Sequence, residues 1–412
     1  MSFVDWDRVF MKIIYVANTR LPTEMAHGLQ IMKMCEAFVK NGAELELIVP
    51  WRFSISSLGK RDPFEYYKVD KNFKIKKLFC FDLTPLNRFL GPISFLTQAL
   101  SFSFFVSIYL LFKRADITYS RDRFSLFFIN LFKKDVVLEI HQFHKSLFIF
   151  LLKRVRKIVV ISKGLKDAII KKGIEKEKIL VAPDSIDLED FQIRENREDC
   201  RRKLNLPLDK KIVLYTGHLY KWKGVETLAL ASNFLSENEL IVIVGGIKWY
   251  LSNFQKFVKK NDLRNILILG HQDYSKIPYF LKSADCLVLT GTKKSKVSQY
   301  QTSPLKMFEY MASGVPIVAS DLPSFREVLY NNQCESNLDN QRESEQNQRV
   351  SAFIANAILV EPDNPEAIAI GIKKVLNDLE LSKKISEQAY RDVQKYTWDN
   401  RAKKILNFIC AE

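Results

Sequence analysis

Few side chains in this 412-residue chain combine a reactive type with a suggestive position. Glu309 is one. It lies about one turn into the segment from Leu305, where Leu305, Phe308, Met311 and Ala312 recur at the spacing of one apolar helix face. The Ser303-Pro304 turn feeds the N-terminus of that helix. Such an end offers free backbone N–H groups and a partial positive charge, which suit a diphosphate. A carboxylate one turn inside could accept two hydrogen bonds from a ribose diol. The same pattern also describes an ordinary helix carrying an exposed glutamate. Lys223 is a second candidate. Gly217 ends the strand Ile212–Thr216, and Lys223-Gly224 opens the next helical stretch. Its ammonium could reach a pyrophosphate or stand in solvent. His141 and His144 lie in E-I-H-Q-F-H at the C-terminal end of a strand, where open parallel sheets bind ligands. Spacing does not separate a metal ligand from a cleft residue. Neither histidine has a clear third ligand, so no metal is assigned. Asp5-Trp6-Asp7 is the only D-x-D, and we assign it nothing.

These residues need a scaffold, and the sequence outlines one. Lys12–Ala17 reads as a buried strand, Gly28–Lys40 as a helix capped by Asn41-Gly42, and Leu45–Val49 as a second strand. That is a βαβ unit. Asp116–Ser120, Asp135–Ile140 and Lys157–Ile161 read as further strands. Arg121 is expected to pair with Asp122 at the surface, and His27 to be a surface residue. Ser162 caps a helix that a glycine stops. The βα alternation restarts at Ile212, with strands at Ile241–Gly246 and Val315–Ala319. Leu379–Ile409 reads as helical. Residues 332–352 are polar and lack periodicity, as in a surface insertion. Phe89–Phe112 holds 24 residues without a charge. Three readings stay open for it: a core helix, a membrane-surface helix or a membrane span.

Composition narrows the class. With 47% hydrophobic and 27% charged residues the chain is globular, and its length suffices for two full cores. Six cysteines are scattered singly, which argues against a zinc site or a disulfide framework and for a reducing compartment. The first residues lack a signal-peptide pattern, and residues 1–10 read as an extension. Net charge is +16 and uneven: residues 1–197 hold 33 Lys/Arg against 22 Asp/Glu, and residues 198–412 hold 30 against 25. A basic first half suggests an anionic partner. A nucleic-acid-binding protein is one reading of that charge, but no reading module accompanies it.

The wording of S-P-L-K-M-F-E-Y-M-A-S-G-V-P-I-V-A-S closely resembles the donor-site signature of family-4 (group 1) glycosyltransferases of the GT-B fold. That family usually carries two glutamates separated by seven residues. Glu309 matches the second, and Gln301 stands at the first, so the donor sugar is open. The stretch G-H-L-Y-K-W-K-G resembles the family's Gly-Arg-Leu…Lys-Gly: Gly217, Leu219, Lys223 and Gly224 fit, and His218 replaces the arginine. The resemblance sets Gly270-His271 near the nucleotide base, His141 against the donor sugar, and Gly28 where backbone approaches donor or acceptor. Pro183, Asp187 and Phe191 keep the outline of the segment that closes the first domain. His144 is expected to be structural or acceptor-facing.

The resemblance implies two Rossmann-like, doubly wound α/β domains facing across a cleft. We expect an acceptor-side domain at residues 1–197, a nucleotide-sugar domain at 198–390, and a C-terminal helix at 391–412 packing back on the first. It also implies a retaining, metal-independent hexosyltransferase that moves a sugar from a nucleoside-diphosphate sugar to a glycan or lipid-linked acceptor. The catalytic residues would be His141, Lys223 and Glu309. Gly28, Gly217, His218, His271, Gln301, Ser303, Pro304 and Leu305 would bind the donor. No cofactor is expected beyond the donor substrate, and no nucleic-acid partner. Polysaccharide biosynthesis in the cytoplasm, peripheral at the inner face of an anionic membrane, is the expected setting. The basic cluster Lys153, Arg154, Arg156 and Lys157 is the expected electrostatic anchor. Other activities of the fold, epimerase or phosphorylase, are the alternatives.

Overall fold

In a computed structural model, residues 11–53, 57–143, 149–330 and 356–411 are described. His144, Asp5-Trp6-Asp7 and the 332–352 segment lie outside them. The apolar runs form parallel strands, and the chain divides into two units. The first comprises residues up to Ile161, Leu165–Ser185 and the C-terminal segment from Trp398; the second comprises Ser162–Gly164 and Ile186–Thr397. The division thus falls at Ser185 where the sequence suggests 197, and residues 391–397 stay with the second unit.

The first unit holds β1 (Met11–Val16), β2 (Ala43–Pro50), β3 (Lys74–Leu78), β4 (Ile117–Ser120), β5 (Val136–Ile140), β6 (Lys157–Val160) and β7 (Ile179–Val181) in the order β3-β2-β1-β4-β5-β6-β7. The second holds β8 (Lys211–Thr216), β9 (Glu239–Val244), β10 (Ile266–Gly270), β11 (Cys286–Leu289), β12 (Ile317–Ser320) and β13 (Ile358–Val360) in the order β10-β9-β8-β11-β12-β13. Both orders reverse direction beside their first strand, at β1/β4 and at β8/β11. Open α/β sheets bind ligands at such a switch point, beyond the carboxyl ends of the strands. Alternate residues of β8 feed opposite faces. Ile212 and Leu214 enter one core with Met307, Phe308 and Met311, while Val213 and Tyr215 enter the other with Leu228 and Ile372. Strands covered on both faces read as continuous apolar runs, which is why they were legible. β3 was not: K-I-K-K-L is a half-exposed edge strand.

Three elements differ from expectation. The helix at Leu305–Ala312 has no solvated face, and from Lys306 to Ala312 every residue is buried. The first helix starts at Ala26, so Gly28 sits inside it. The uncharged segment forms a helix at Pro92–Leu111 after Gly91. One of its faces lies in the first unit's core through Phe102, Val106 and Leu110, beside Ile14, Val16 and Leu138. The last helix, Trp398–Cys410, belongs to the first unit, where Asn41 Nδ2 donates to Asp399 Oδ1 at 2.8 Å.

Candidate functional site

In the second unit the candidates gather at the switch point. β8 ends at Thr216, and Gly217 follows with φ +118°. A side chain at Gly245, in the turn after β9, would place its Cβ 2.3 Å from the Gly217 carbonyl oxygen, so the two turns can close only as glycines. Over this turn lies the start of the helix Leu305–Ala312. Its N-cap is Pro304, and among the described residues no side chain caps it; Met307 N–H donates to the Pro304 carbonyl at 2.9 Å, which leaves the N–H groups of Leu305 and Lys306 for a ligand. Ser303 and Pro304 are buried, while Leu305 and Gln301 are half-buried.

Lys306 joins the helix to the turn. Its Nζ donates to the Thr216 carbonyl at 3.1 Å and lies 3.5 Å from the Tyr215 ring centroid. Burial pushes its ammonium well below the usual lysine range, and Lys223 adds repulsion. The same helix ties down β8 through Tyr310, whose hydroxyl accepts from Thr216 N–H at 2.8 Å.

Glu309 is 7% exposed, not the solvated glutamate of the ordinary reading. Tyr274 O–H donates to its Oε1 at 3.1 Å. Burial raises its carboxyl to about 7, against the lowering pull of Tyr274 and Lys306. A carboxylate in this position retains acceptor capacity for a diol. Lys223 closes the 3₁₀ turn Lys221–Lys223 with its Nζ 4.0 Å from the Trp222 ring centroid. His218 stacks on Tyr220 at 5.1 Å and its Nδ1 is buried without a partner among the described residues. Burial, then Lys223, Lys306 and His271, lower its pKa, so it is neutral near pH 7. His271 is exposed just after β10.

His141 and Gly28 belong to the first unit. The His141 ring meets Glu139 Oε1 at 2.7 Å. Glu139 is the pole of a buried network: Gln30 Nε2 (2.8 Å) and Arg401 Nη2 (2.7 Å) donate to Oε1, and Tyr119 O–H (2.6 Å) donates to Oε2. Burial alone would raise this carboxyl, yet Arg401, His141 and Arg121 hold it well below the usual range. His141 is lowered by burial and by Arg121, against Glu139. Arg121 does not pair with Asp122. It donates to Gln30 Oε1, and Asp122 is buried as the cap of the helix Arg123–Ile129, accepting from Phe124 and Ser125 N–H. His27 meets Thr19 Oγ1 at 2.7 Å and is half-buried. Gly28 has a packing reason: a Cβ there would sit 2.1 Å from the Tyr67 hydroxyl, which bonds both N–H and C=O of Thr23. Among the described residues no three His, Cys, Asp or Glu cluster as metal ligands.

Sequence reasoning missed Lys306, Tyr274, Glu139 and Arg401. Two signals were available. Lys306 stands three residues before Glu309, on the same helix face. Glu139 is a charge inside the strand V-V-L-E-I, which is buried throughout.

Residues 196–392 match the family described as glycosyl transferases group 1. An uncharacterized glycosyltransferase of Methanocaldococcus jannaschii is 28% identical over 61% of this chain and 59% of its own length. A UDP-Gal:alpha-D-GlcNAc-diphosphoundecaprenol alpha-1,3-galactosyltransferase of Escherichia coli is 29% identical over 43% of this chain and 46% of its own length. The chain therefore spans about half to three-fifths of these relatives. The crystal structure of Anabaena HepE in complex with UDP and glucose superposes with a TM-score of 0.72 at 15% identity, covering 98% of this chain and 100% of that one. That likeness is one of fold, and it is the GT-B fold of two parallel-sheet units. The matched residues lie in the unit that holds Gly217, Lys223 and Glu309, and that part of the chain is similar to the group 1 glycosyltransferases.

Proposed function

We propose that the protein transfers a sugar from a nucleoside-diphosphate sugar to a glycan or lipid-linked acceptor, with retention of configuration and without an essential metal or further cofactor. The observation that carries this reading is Glu309, buried one turn inside an uncapped helix N-terminus and beside Lys306, which Lys223 in turn faces. Glu309 accepts from the two ribose hydroxyls. Lys223, Lys306 and the first-turn N–H groups take up the charge on the diphosphate as the bond from the anomeric carbon to its oxygen breaks and the acceptor oxygen bonds to that carbon. Burial disfavours the charged form of Lys306, and an arriving anion favours it. His218 contributes no permanent charge, and Lys306 stands in for the family's arginine. Gln301 and His271 are assigned to donor sugar and base, and His141 orients the donor sugar without acting as a base. Support for the substrates comes from the UDP bound to HepE and from the lipid diphosphate acceptor in the galactosyltransferase's name. The free cysteines among the described residues suit a cytoplasmic site.

A thermal-shift panel of ribonucleoside diphosphates and their sugars tests the reading. A ligand at 100 times its Kd adds about 2.7 kcal/mol to the folded state. At least one diphosphate and its sugar should raise Tm. If none does, the nucleotide site is misassigned.

A further inference from the structure

The helix Pro92–Leu111 buries polar side chains beside its core residues and leaves an apolar stripe outside. Its buried face carries Ser94, Gln98, Ser103 and Ser107 among the core residues. The serine hydroxyls are satisfied locally: Ser94 donates to Gly91 O at 2.7 Å, Ser103 to Ala99 O at 2.6 Å and Ser107 to Ser103 O at 2.8 Å; Gln98 Nε2 donates to Asn18 Oδ1 at 3.0 Å, while its Oε1 has no partner among the described residues. The opposite face is a stripe of Ile93, Leu96, Leu100, Phe104, Ile108 and Leu111, spaced by three or four residues and 38–64% exposed. At 1.5 Å per residue the stripe runs roughly 30 Å. It widens on both sides. Phe79, 50% exposed, packs its ring 5.2 Å from Phe105, and Phe95 sits 6.0 Å from Phe124, whose helix also carries exposed Phe127. A contiguous apolar surface of this kind marks an interaction site, unlike scattered exposed leucines.

The rim identifies the partner. Between residues 83 and 134 there are seven Lys/Arg and two Asp. One aspartate, Asp122, is buried, and the other, Asp116, accepts from Lys12 N–H. Arg88 precedes the helix, and Lys113 and Arg114 follow it, all exposed. Lys133 Nζ reaches the Lys113 carbonyl at 3.2 Å, and the Arg123 guanidinium lies 5.0 Å from the Phe124 ring centroid. Cations therefore flank the apolar stripe at its ends and beside it. That is the complement of an anionic bilayer surface, with acyl chains under the stripe and phosphates against the rim. A span is a poorer description, because the helix's other face is already in the core. The cluster expected to anchor the chain is partly used within the first unit: Arg156 meets Asp135 and the Ile409 carbonyl, and Lys157 lies 4.8 Å from the Phe408 ring centroid.

We propose that this face docks on anionic phospholipid membranes, with the helix Pro92–Leu111 lying in the interface plane and its outer stripe at the acyl boundary. Its geometry is independent of the transfer reaction; its use, bringing the first unit to a lipid-linked acceptor, rests on the reading above. The two attractions differ in salt dependence. Screening shortens the reach of the cations to about 3 Å at 1 M salt but leaves apolar insertion in place.

Co-sedimentation of the full chain with vesicles of phosphatidylcholine, and of phosphatidylcholine with phosphatidylglycerol, tests the proposal. Binding is expected on the mixed vesicles, reduced but retained at high salt. Leu100→Glu/Phe104→Glu/Ile108→Glu should weaken it at least ~10-fold at either salt, since each substitution removes an inserted apolar side chain. These positions face water, so the melting curve should not move. Lys113→Gln/Arg114→Gln should remove only part of the salt-sensitive binding. Absence of sedimentation for the wild type overturns the proposal, as does binding indifferent to the triple substitution. So does a salt-stable dimer, without vesicle binding, that the triple substitution dissolves. Nucleotide binding by the triple variant, measured by calorimetry, should match wild type. Vesicle binding and nucleotide binding therefore fail separately.

Discussion

Glu139 and Glu309 are buried carboxylates in units whose strand orders agree over six strands, yet their surroundings are opposite. Glu139 collects Gln30, Tyr119, His141 and Arg401, and it is held ionised. Among the described residues Glu309 has one donor, Tyr274, and its carboxyl rises to about 7. Burial disfavours charge in both, so donors and countercharge decide the outcome. The saturated carboxylate belongs to the fold and positions its histidine. The undersatisfied one has acceptor capacity left, and its burial cost is recovered only when something else donates to it.

The largest expected effect attacks the saturated pole. Arg401→Met leaves Glu139 buried beside a thioether, and breaking a buried pair from one side typically costs ~3–5 kcal/mol. Urea unfolding should show that loss. A shift below about 1 kcal/mol would mean that Glu139 is hydrated or protonated in the variant, and the contrast with Glu309 would collapse. Next comes Lys223→Ala, which should leave unfolding unchanged while turnover falls by ~10- to 150-fold, the value of a charge-assisted contact worth ~1.5–3 kcal/mol. Near-normal kinetics would remove this lysine from the site.

The smallest effect is the most diagnostic. Glu309→Gln should change stability by less than about 1 kcal/mol, because the wild-type carboxyl is half-protonated near neutrality and the amide keeps its shape. Nucleoside diphosphate affinity should drop about 10-fold at pH 8, a loss of roughly 1.4 kcal/mol. The pH dependence carries a sign. Free wild-type protein holds the Glu309 proton below about pH 7, and accepting from both ribose hydroxyls requires its release. Wild-type affinity should therefore climb by up to ~10-fold per unit as pH rises toward 7, then level off. Calorimetry across that range should find the climb absent in Glu309→Gln. Unchanged nucleotide affinity with altered sugar preference would instead turn Glu309 toward the sugar.

Much of the site was legible because its parts are local. Gly217, Lys223, the Ser303-Pro304 turn and Glu309 are each defined by neighbours in sequence. So were the strands buried on both faces. What escaped depends on distant partners. Lys306 reads as a surface lysine until the Thr216 carbonyl, 90 residues earlier, is placed above it. Arg401 reads as a solvated helix residue until Glu139 is found 262 residues away. Arg121 was paired with its sequence neighbour Asp122 because that was the nearest opposite charge, whereas the backbone N–H groups of the following helix claim the aspartate.

The helix Pro92–Leu111 divides the two kinds of information most clearly. Its length, its lack of charge and its regular spacing of serines are properties of the sequence, since they depend only on residue order. Which face turns inward is not. The serines can satisfy their hydroxyls against the helix's own carbonyls, so burying them costs little, and either face could have met the sheet. Packing chose the face carrying Phe102, Val106 and Leu110 for the core of the first unit. The stripe from Ile93 to Leu111 was thereby left outside, and only the tertiary structure decided that this apolar surface is available to a partner.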